Sequence, residues 1–251
     1  MKKITTSIPA LDKTMRVFDY LLECGGATFT QIHQNSGIAK SSTSSLLNGM
    51  VEHGLLRQEK DKYYLGLRLY ELGNKAAEQY DIKKIALPIL EEIRDNTSLT
   101  CHLGVLEGAA PIYLLKVESP QAIVIRSWEG KRLSLHSSGL GKVLIALLSE
   151  EELEELLPSD QILTRFTQTT ITDVNILKQE LAGIRRRGWG YDNEEDSLGV
   201  RCIAVPVFNA QGKVIAALSV SGVAFQIPDD KRESLATLMM DASRSLTHLL
   251  C

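Results

Sequence analysis

Glycines at 25–26, 37 and 54 cut the first 65 residues into three short segments of helical periodicity and a charged hairpin, and few folds accept that order. Ile8, Leu11, Met15, Phe18 and Leu22 recur at 3,4,3,4 spacing and predict a first helix with one apolar stripe, ended by Gly25-Gly26. A second helix is expected from Thr28, its N-cap, with Phe29 and Ile32 inward, until Asn35-Ser36-Gly37. A third runs from Lys40 to His53 with Thr43, Leu46, Leu47, Met50 and Val51 inward, and Gly54 closes it. Residues 55–59 and 63–65 then read as two strands around a Lys60-Asp61-Lys62 tip.

Three helices and a hairpin in this order describe a winged helix-turn-helix, in which the third helix enters the major groove and the hairpin lies on the backbone. The outward residues of the third segment, Lys40, Ser41, Ser42, Ser44, Ser45 and Asn48, are short donors and acceptors suited to phosphates and base edges. Lys60 and Lys62 are expected to meet phosphates. The same serine-rich stretch also reads as a loop or a solvated helix face, because serine is a poor helix former. Charge is informative only once divided. The chain of 251 residues carries a net −3, but residues 1–80 carry +2 and the rest −5. A slightly basic reader beside an acidic module fits that offset.

The remaining sequence predicts a linker helix over 66–80 with Leu69, Leu72 and Ala76 on one side. A helix from Ile82 follows, carrying Ile85, Ile89 and Ile93 and either kinked or started late by Pro88. Strands are expected at 101–106, 112–117, 122–126, 190–192, 202–208 and 214–221, and helices near 140–148, 150–157 and 173–187. A final helix follows Pro228, with Leu235, Leu238, Met239, Ala242, Leu246 and Leu249 inward. The fold class this gives is α+β with an antiparallel sheet. No apolar run approaches the roughly 18 residues that cross a bilayer, and the start has no signal-peptide pattern, so a cytoplasmic protein is expected. The four scattered cysteines make no CxxC pair, which predicts reduced thiols, no disulfide framework and no zinc ribbon.

Several motifs invite chemistry. Ser138-Gly139-Leu140-Gly141-Lys142 resembles a phosphate loop, but His136 stands where the first glycine of that motif belongs and Val143 replaces the metal-binding hydroxyl. A glycine-opened helix N-terminus that can hold a carboxylate survives, beside a plain tight turn. Asp192-Asn193-Glu194-Glu195 offers adjacent carboxylates, which mostly mean solvation or ion pairing. The five histidines are scattered, GxSxG is absent, and Cys101-His102 has no second pair to complete a metal site. Ser219 and Ser221 point to one face of an apolar strand and need partners if buried.

Gly188, Asp192, Glu195, Cys202-Ile203-Ala204 and Val207-Phe208-Asn209 together resemble the signature of the IclR family of bacterial transcriptional regulators. His136 to Lys142 resembles a second hallmark, and Lys62-Tyr63-Tyr64-Leu65-Gly66 the family's wing strand. The resemblance implies a winged helix-turn-helix over 8–66, a linker helix over 67–80 and a GAF-like effector-binding domain over 81–251, assembled as homodimers or homotetramers. It implies that Gly139, Leu140, Asp192, Cys202, Ser219 and Ser221 hold a small carboxylate, with Leu133 and Val200 as apolar wall. The 192–207 stretch looks most like the branch that senses sugar acids. The recognition helix is richer in serine than the family pattern. The expected function is regulation, chiefly repression, of a catabolic operon through a palindromic DNA operator, with an organic or sugar acid as effector and no cofactor, metal or catalytic residue. Two rivals stand beside it: a thiol redox enzyme using Cys202, and a sensor whose helix-turn-helix binds protein.

Overall fold

A computed structural model describes residues 6–121, 125–158 and 162–250, and the chain divides into two compact units between Tyr80 and Asp81. In the first unit α1 (Pro9–Cys24) carries proline in its first turn and ends on Gly25 at φ 72°. Then come β1 (Ala27–Thr28), α2 (Phe29–Ser36), α3 (Lys40–Glu52), β2 (Leu56–Glu59), β3 (Lys62–Leu65) and α4 (Leu67–Ala77). Thr28 caps α2 through a box with Gln31, which satisfies amides that the helix itself cannot. The strand β1, too short to show periodicity, pairs with β3 and gives a three-stranded order β1-β3-β2. Val17, Leu21, Ile32, Leu47, Met50 and Leu56 form the core, each burial removing roughly 1.5–3 kcal/mol of apolar exposure. Gly66 is required where β3 turns into α4, since a Cβ there would lie 2.0 Å from the Gly54 carbonyl oxygen.

The structure corrects the sequence on which faces are buried. The predicted stripe of α1 points outward: Ile8, Leu11, Met15 and Leu22 are 47–60% exposed, Phe18 is partly buried, and the core uses Val17 and Leu21. Periodicity detects an apolar face but not the neighbour that covers it, and α1 has two. On α4, Leu72 and Ala76 are exposed, as are Leu67 and Tyr70.

The second unit begins with α5 (Ile82–Thr97), which runs through Pro88 without a later start and buries Ile82, Ala86, Leu90 and Ile93. Ile85 and Ile89 lie beside that stripe and are only half-buried. Strands β4 (Thr100–Glu107), β5 (Ala110–Val117), β6 (Gly190–Asn193), β7 (Val200–Phe208) and β8 (Val214–Val223) form one antiparallel sheet of order β5-β4-β8-β7-β6. Of the strand expected over 122–126, residues 122–124 lie outside the described residues, and 125–126 are not in a strand. Between β5 and β6 stand α6 (Gly139–Ala146), α7 (Glu150–Leu156) and α8 (Val174–Arg187), with a Ser149–Glu152 capping box on α7 and Asp173 capping α8. A 3₁₀ turn (Asp229–Lys231) leads into α9 (Arg232–Leu250), which buries Ala236, Met239, Ser243 and Leu246 and leaves Leu249 exposed.

Alternation along the strands assigns the two faces. Tyr113, Ala204 and Ala217 join Leu140, Val143, Leu177, Leu181 and Ile184 in a cluster under α6 and α8. Helices α5 and α9 pack together and against the sheet, with Ser243 Oγ donating to the Pro206 carbonyl oxygen at 2.5 Å. Gly104 leaves room for α6, because a Cβ there would meet the Leu140 methyls at 2.7 Å.

Candidate functional site

Two places collect polar groups that the fold itself does not use. The first is the outer face of α3. Thr43 turns inward and donates its hydroxyl to the Ile38 and Ala39 carbonyl oxygens at 3.2 and 3.1 Å, which anchors the start of a helix that serines alone would not stabilise. Lys40, Ser41, Ser44, Ser45 and Asn48 are then exposed along one side, while Ser42 is half-buried. Lys60 and Lys62 stand exposed at the hairpin tip, where Lys60 has φ 55°. Arg57, on the same hairpin, is committed to Glu59 and to the Tyr64 ring, 4.5 Å from its guanidinium carbon.

The second is a cavity of about 300 Å³ in the second unit, bounded by the β6–β7 loop, the start of α6 and the segment after β5. Leu133, Leu140, Asp192, Val200, Cys202 and Ser221 line it, six of the eight residues that the sequence assigns to an effector. Gly139 and Ser219 are not on the wall. A Cβ on Gly139 would stand 3.4 Å from the Cys202 carbonyl oxygen and 3.5 Å from the Asp192 amide, so this glycine lets α6 press onto β6 and β7. Ser219 lies one strand position behind Ser221 and is fully buried.

The helix mouth has an anion-binding layout. Ser138 caps α6, its hydroxyl accepting from the Gly141 amide at 3.0 Å and its carbonyl from Lys142 at 3.0 Å. The amides of Gly139 and Leu140 come earlier than any helical carbonyl can serve. Asp192 is buried, and burial pushes its carboxyl up to about 8, against the pull of the Glu195 amide, which donates to Oδ1 at 2.7 Å. The proton therefore sits on Asp192 near neutrality, and the carboxyl can donate as well as accept. Burial pushes the Cys202 thiol up to about 12, with Asp192 adding to the shift, so it is no thiolate nucleophile and the redox rival loses its chemistry.

Behind the wall, cross-strand pairing aligns Asp192, Cys202, Ser221 and Thr100 in one row, and Gly190, Ala204, Ser219 and His102 in the next. His102 stacks on Tyr113 at 4.1 Å, and its Nε2 meets Ser127 Oγ at 2.8 Å. Burial, with Lys116 and Lys131 nearby, pushes it down to about 3, so it is neutral. Ser219 Oγ has no oxygen or nitrogen partner, and His102 Nδ1 has no partner at all. Native interiors seldom leave such atoms unpaired. Cys101 and His102 alternate to opposite faces of β4 and do not converge on a metal, and among the described residues no His, Cys, Asp and Glu cluster could hold one.

Lys142 supports the site from below. It is 1% exposed, donating to Glu195 Oε1 at 2.6 Å and to the Tyr191 carbonyl oxygen at 2.5 Å, and so ties the β6–β7 loop to α6. Thr167 and Thr170 hold the same loop from outside, through the Glu194 and Glu195 carbonyl oxygens at 2.7 Å. Sequence reasoning missed Tyr113, Arg126, Ser127, Lys131, Asp196 and Ser197, which complete the wall. Only Tyr113, on an alternating strand, left a signal; the others sit in loops.

A winged helix-turn-helix with an uncommitted polar recognition face, in one chain with a unit enclosing a polar cavity, defines a DNA-binding regulator. Residues 10–60 match the family profile described as the IclR helix-turn-helix domain, and residues 74–248 the bacterial transcriptional regulator IclR C-terminal domain. The chain belongs to the IclR family of transcriptional regulators, and it is a regulator rather than an enzyme. It is 37% identical to the uncharacterized regulator RhmR of Escherichia coli over 98% of this chain and 95% of that one. It is 36% identical to the regulator XynR of the same organism over 97% of each. A solved IclR homologue from Microbacterium hydrocarbonoxydans, complexed with 4-hydroxybenzoate, superposes with a TM-score of 0.80 at 26% identity, over 96% of this chain and 98% of that one. No helix among the described residues is long and apolar enough to cross a membrane.

Proposed function

We propose that this regulator represses a catabolic operon in the cytoplasm, and that a small carboxylate seated at the α6 mouth changes its affinity for a palindromic operator. The observation that carries the effector is the cavity itself, where the α6 amides, a protonated Asp192 and the Ser219–Ser221 hydroxyls surround one space and Ser219 Oγ lacks a partner. A carboxylate satisfies the amides and accepts from Asp192. The homologue solved with 4-hydroxybenzoate, itself a small carboxylate, supports this class. Lys40, Ser41, Ser42, Ser44, Ser45 and Asn48 read the major groove, and Lys60 and Lys62 take phosphates. The effector acts through its differential affinity for two states of the protein.

The chain works as a homodimer or homotetramer. The exposed apolar residues of α1 and α4, Leu11, Met15, Leu67, Tyr70 and Leu72 among them, form more uncovered apolar surface than a solvated helix needs. Two half-sites then supply the contacts that one module lacks. Gel-shift titration against the chain's own promoter region, with and without a panel of carboxylates, tests this function. Binding that ignores salt and sequence, or that no carboxylate alters, refutes it. For assembly, sedimentation of Leu11→Lys with Met15→Lys is expected to show dissociation; an unchanged mass refutes that interface.

A further inference from the structure

Two basic side chains, Arg126 and Lys131, line the same cavity as the α6 mouth, and among the described residues neither is ion-paired. Lys131 Nζ makes one hydrogen bond, to the Arg126 carbonyl oxygen at 3.0 Å, and rests 5.3 Å from the Trp128 ring centroid. The segment that presents them is held rigidly. Lys116 Nζ donates to the Ser127 carbonyl oxygen at 2.9 Å, His102 fixes the Ser127 hydroxyl, and the Tyr113 amide donates to the Lys131 carbonyl oxygen at 3.1 Å. Arg132 adds a bridge to Ile112 on β5.

Unpaired like charges fixed on one wall repel each other, and a preorganised cationic wall is how proteins select anions without a reorganisation cost. Facing acids offset this only in part. Asp192 holds a proton near neutrality, and Asp196 is engaged by the Ser137 hydroxyl at 2.8 Å. Resting on the effector site proposed above, we infer that the effector is a small dianion, with one carboxylate at the α6 mouth and a second anionic group at Arg126 and Lys131. The volume of about 300 Å³ sits at the lower end of small-molecule pockets, which restricts the class to short-chain compounds.

Calorimetric titration of the full chain tests this with straight-chain three- to six-carbon mono- and dicarboxylates, with and without 2-hydroxy or 2-keto groups, and with 3-phosphoglycerate. A dianion is expected to bind at least about tenfold more tightly than the monoanion of equal length. Arg126→Gln with Lys131→Gln removes that preference, while Lys131→Arg, which keeps the charge, retains it. The unliganded melting temperature of each variant checks that it folds. Tighter binding of 3-phosphoglycerate than of any dicarboxylate assigns the second group as phosphate, and the reverse assigns it as carboxylate; either supports the inference. Equal binding of mono- and dianions, binding of monoanions alone, or a preference that survives the double glutamine variant overturns it and leaves the effector site standing. If no probe binds, both fail.

Discussion

Replacing Lys142 by Met should destabilise the second unit by about 3 kcal/mol at pH 7, by a route that pH can expose. The Nζ to Oε1 distance is 2.6 Å and both side chains are nearly inaccessible. At an effective dielectric of about 20, the gross attraction is roughly 6 kcal/mol. Desolvating the two ions offsets most of it, so the intact pair contributes little net stability. Removing one partner leaves Glu195 desolvated and unpaired. Burial already raises its pKa from 4.5, and Lys142 is the main influence lowering it. Without the lysine the carboxyl is better off protonated, at about 1.4 kcal/mol per pH unit above 4.5, which caps the penalty near 3.4 kcal/mol at pH 7. The sign follows from linkage: the variant's folded state binds the proton more tightly than its unfolded state, so its deficit relative to the parent shrinks as pH falls from 7 toward 4.5. Both tryptophans, Trp128 and Trp189, lie in the second unit, so urea unfolding of the full chain followed by their fluorescence reports that unit alone. Adding Glu195→Gln should recover a large part of the loss. A deficit under about 1 kcal/mol at pH 7, or one that stays constant down to pH 5, would refute this account.

Asp192→Asn imitates the protonated carboxyl. It is expected to remove the part of the stability that grows as pH falls from about 8 toward 3.8, which thermal melts across that range would show. In the parent, effector affinity should weaken above about pH 8, where an ionised Asp192 repels a carboxylate; an affinity flat from pH 6 to 9 counts against that contact. Gly141→Ala places a Cβ 2.2 Å from the Ser134 carbonyl oxygen and should lower the melting temperature by several degrees or prevent folding, measured by calorimetry. Lys40→Gln and Lys62→Gln should each flatten the slope of log affinity against log salt by about 0.9, and an unchanged slope would remove that lysine from the DNA contact.

The helix-turn-helix was legible because its information is local. Glycines at φ 72°, 65° and 69° terminate α1, α2 and the turn after α3, and Thr28 with Gln31 writes the start of α2 into four residues. The antiparallel sheet was legible as well, since β4, β5, β7 and β8 alternate or run apolar between turn residues. The cavity was less so. Gly139 and Leu140 look equivalent in sequence, yet only Leu140 reaches the wall while Gly139 is consumed by the contact with β6 and β7.

What the chain's sequence determines by itself is the set of elements, their caps and the family to which it belongs. Those depend on residues within a few positions of one another, or on a pattern of identities. Tertiary structure alone decides which apolar stripe is covered, as α1 shows by exposing Leu11 and Met15 while burying Val17 and Leu21. It also decides which acid carries a proton. Asp192 and Glu194 are two residues apart in one acidic run, but burial raises the pKa of Asp192, while Glu194 reaches the loop edge with φ 63° and accepts from the Gly199 amide. Desolvation and pairing depend on what the rest of the chain brings around a side chain, and the local sequence does not hold that information.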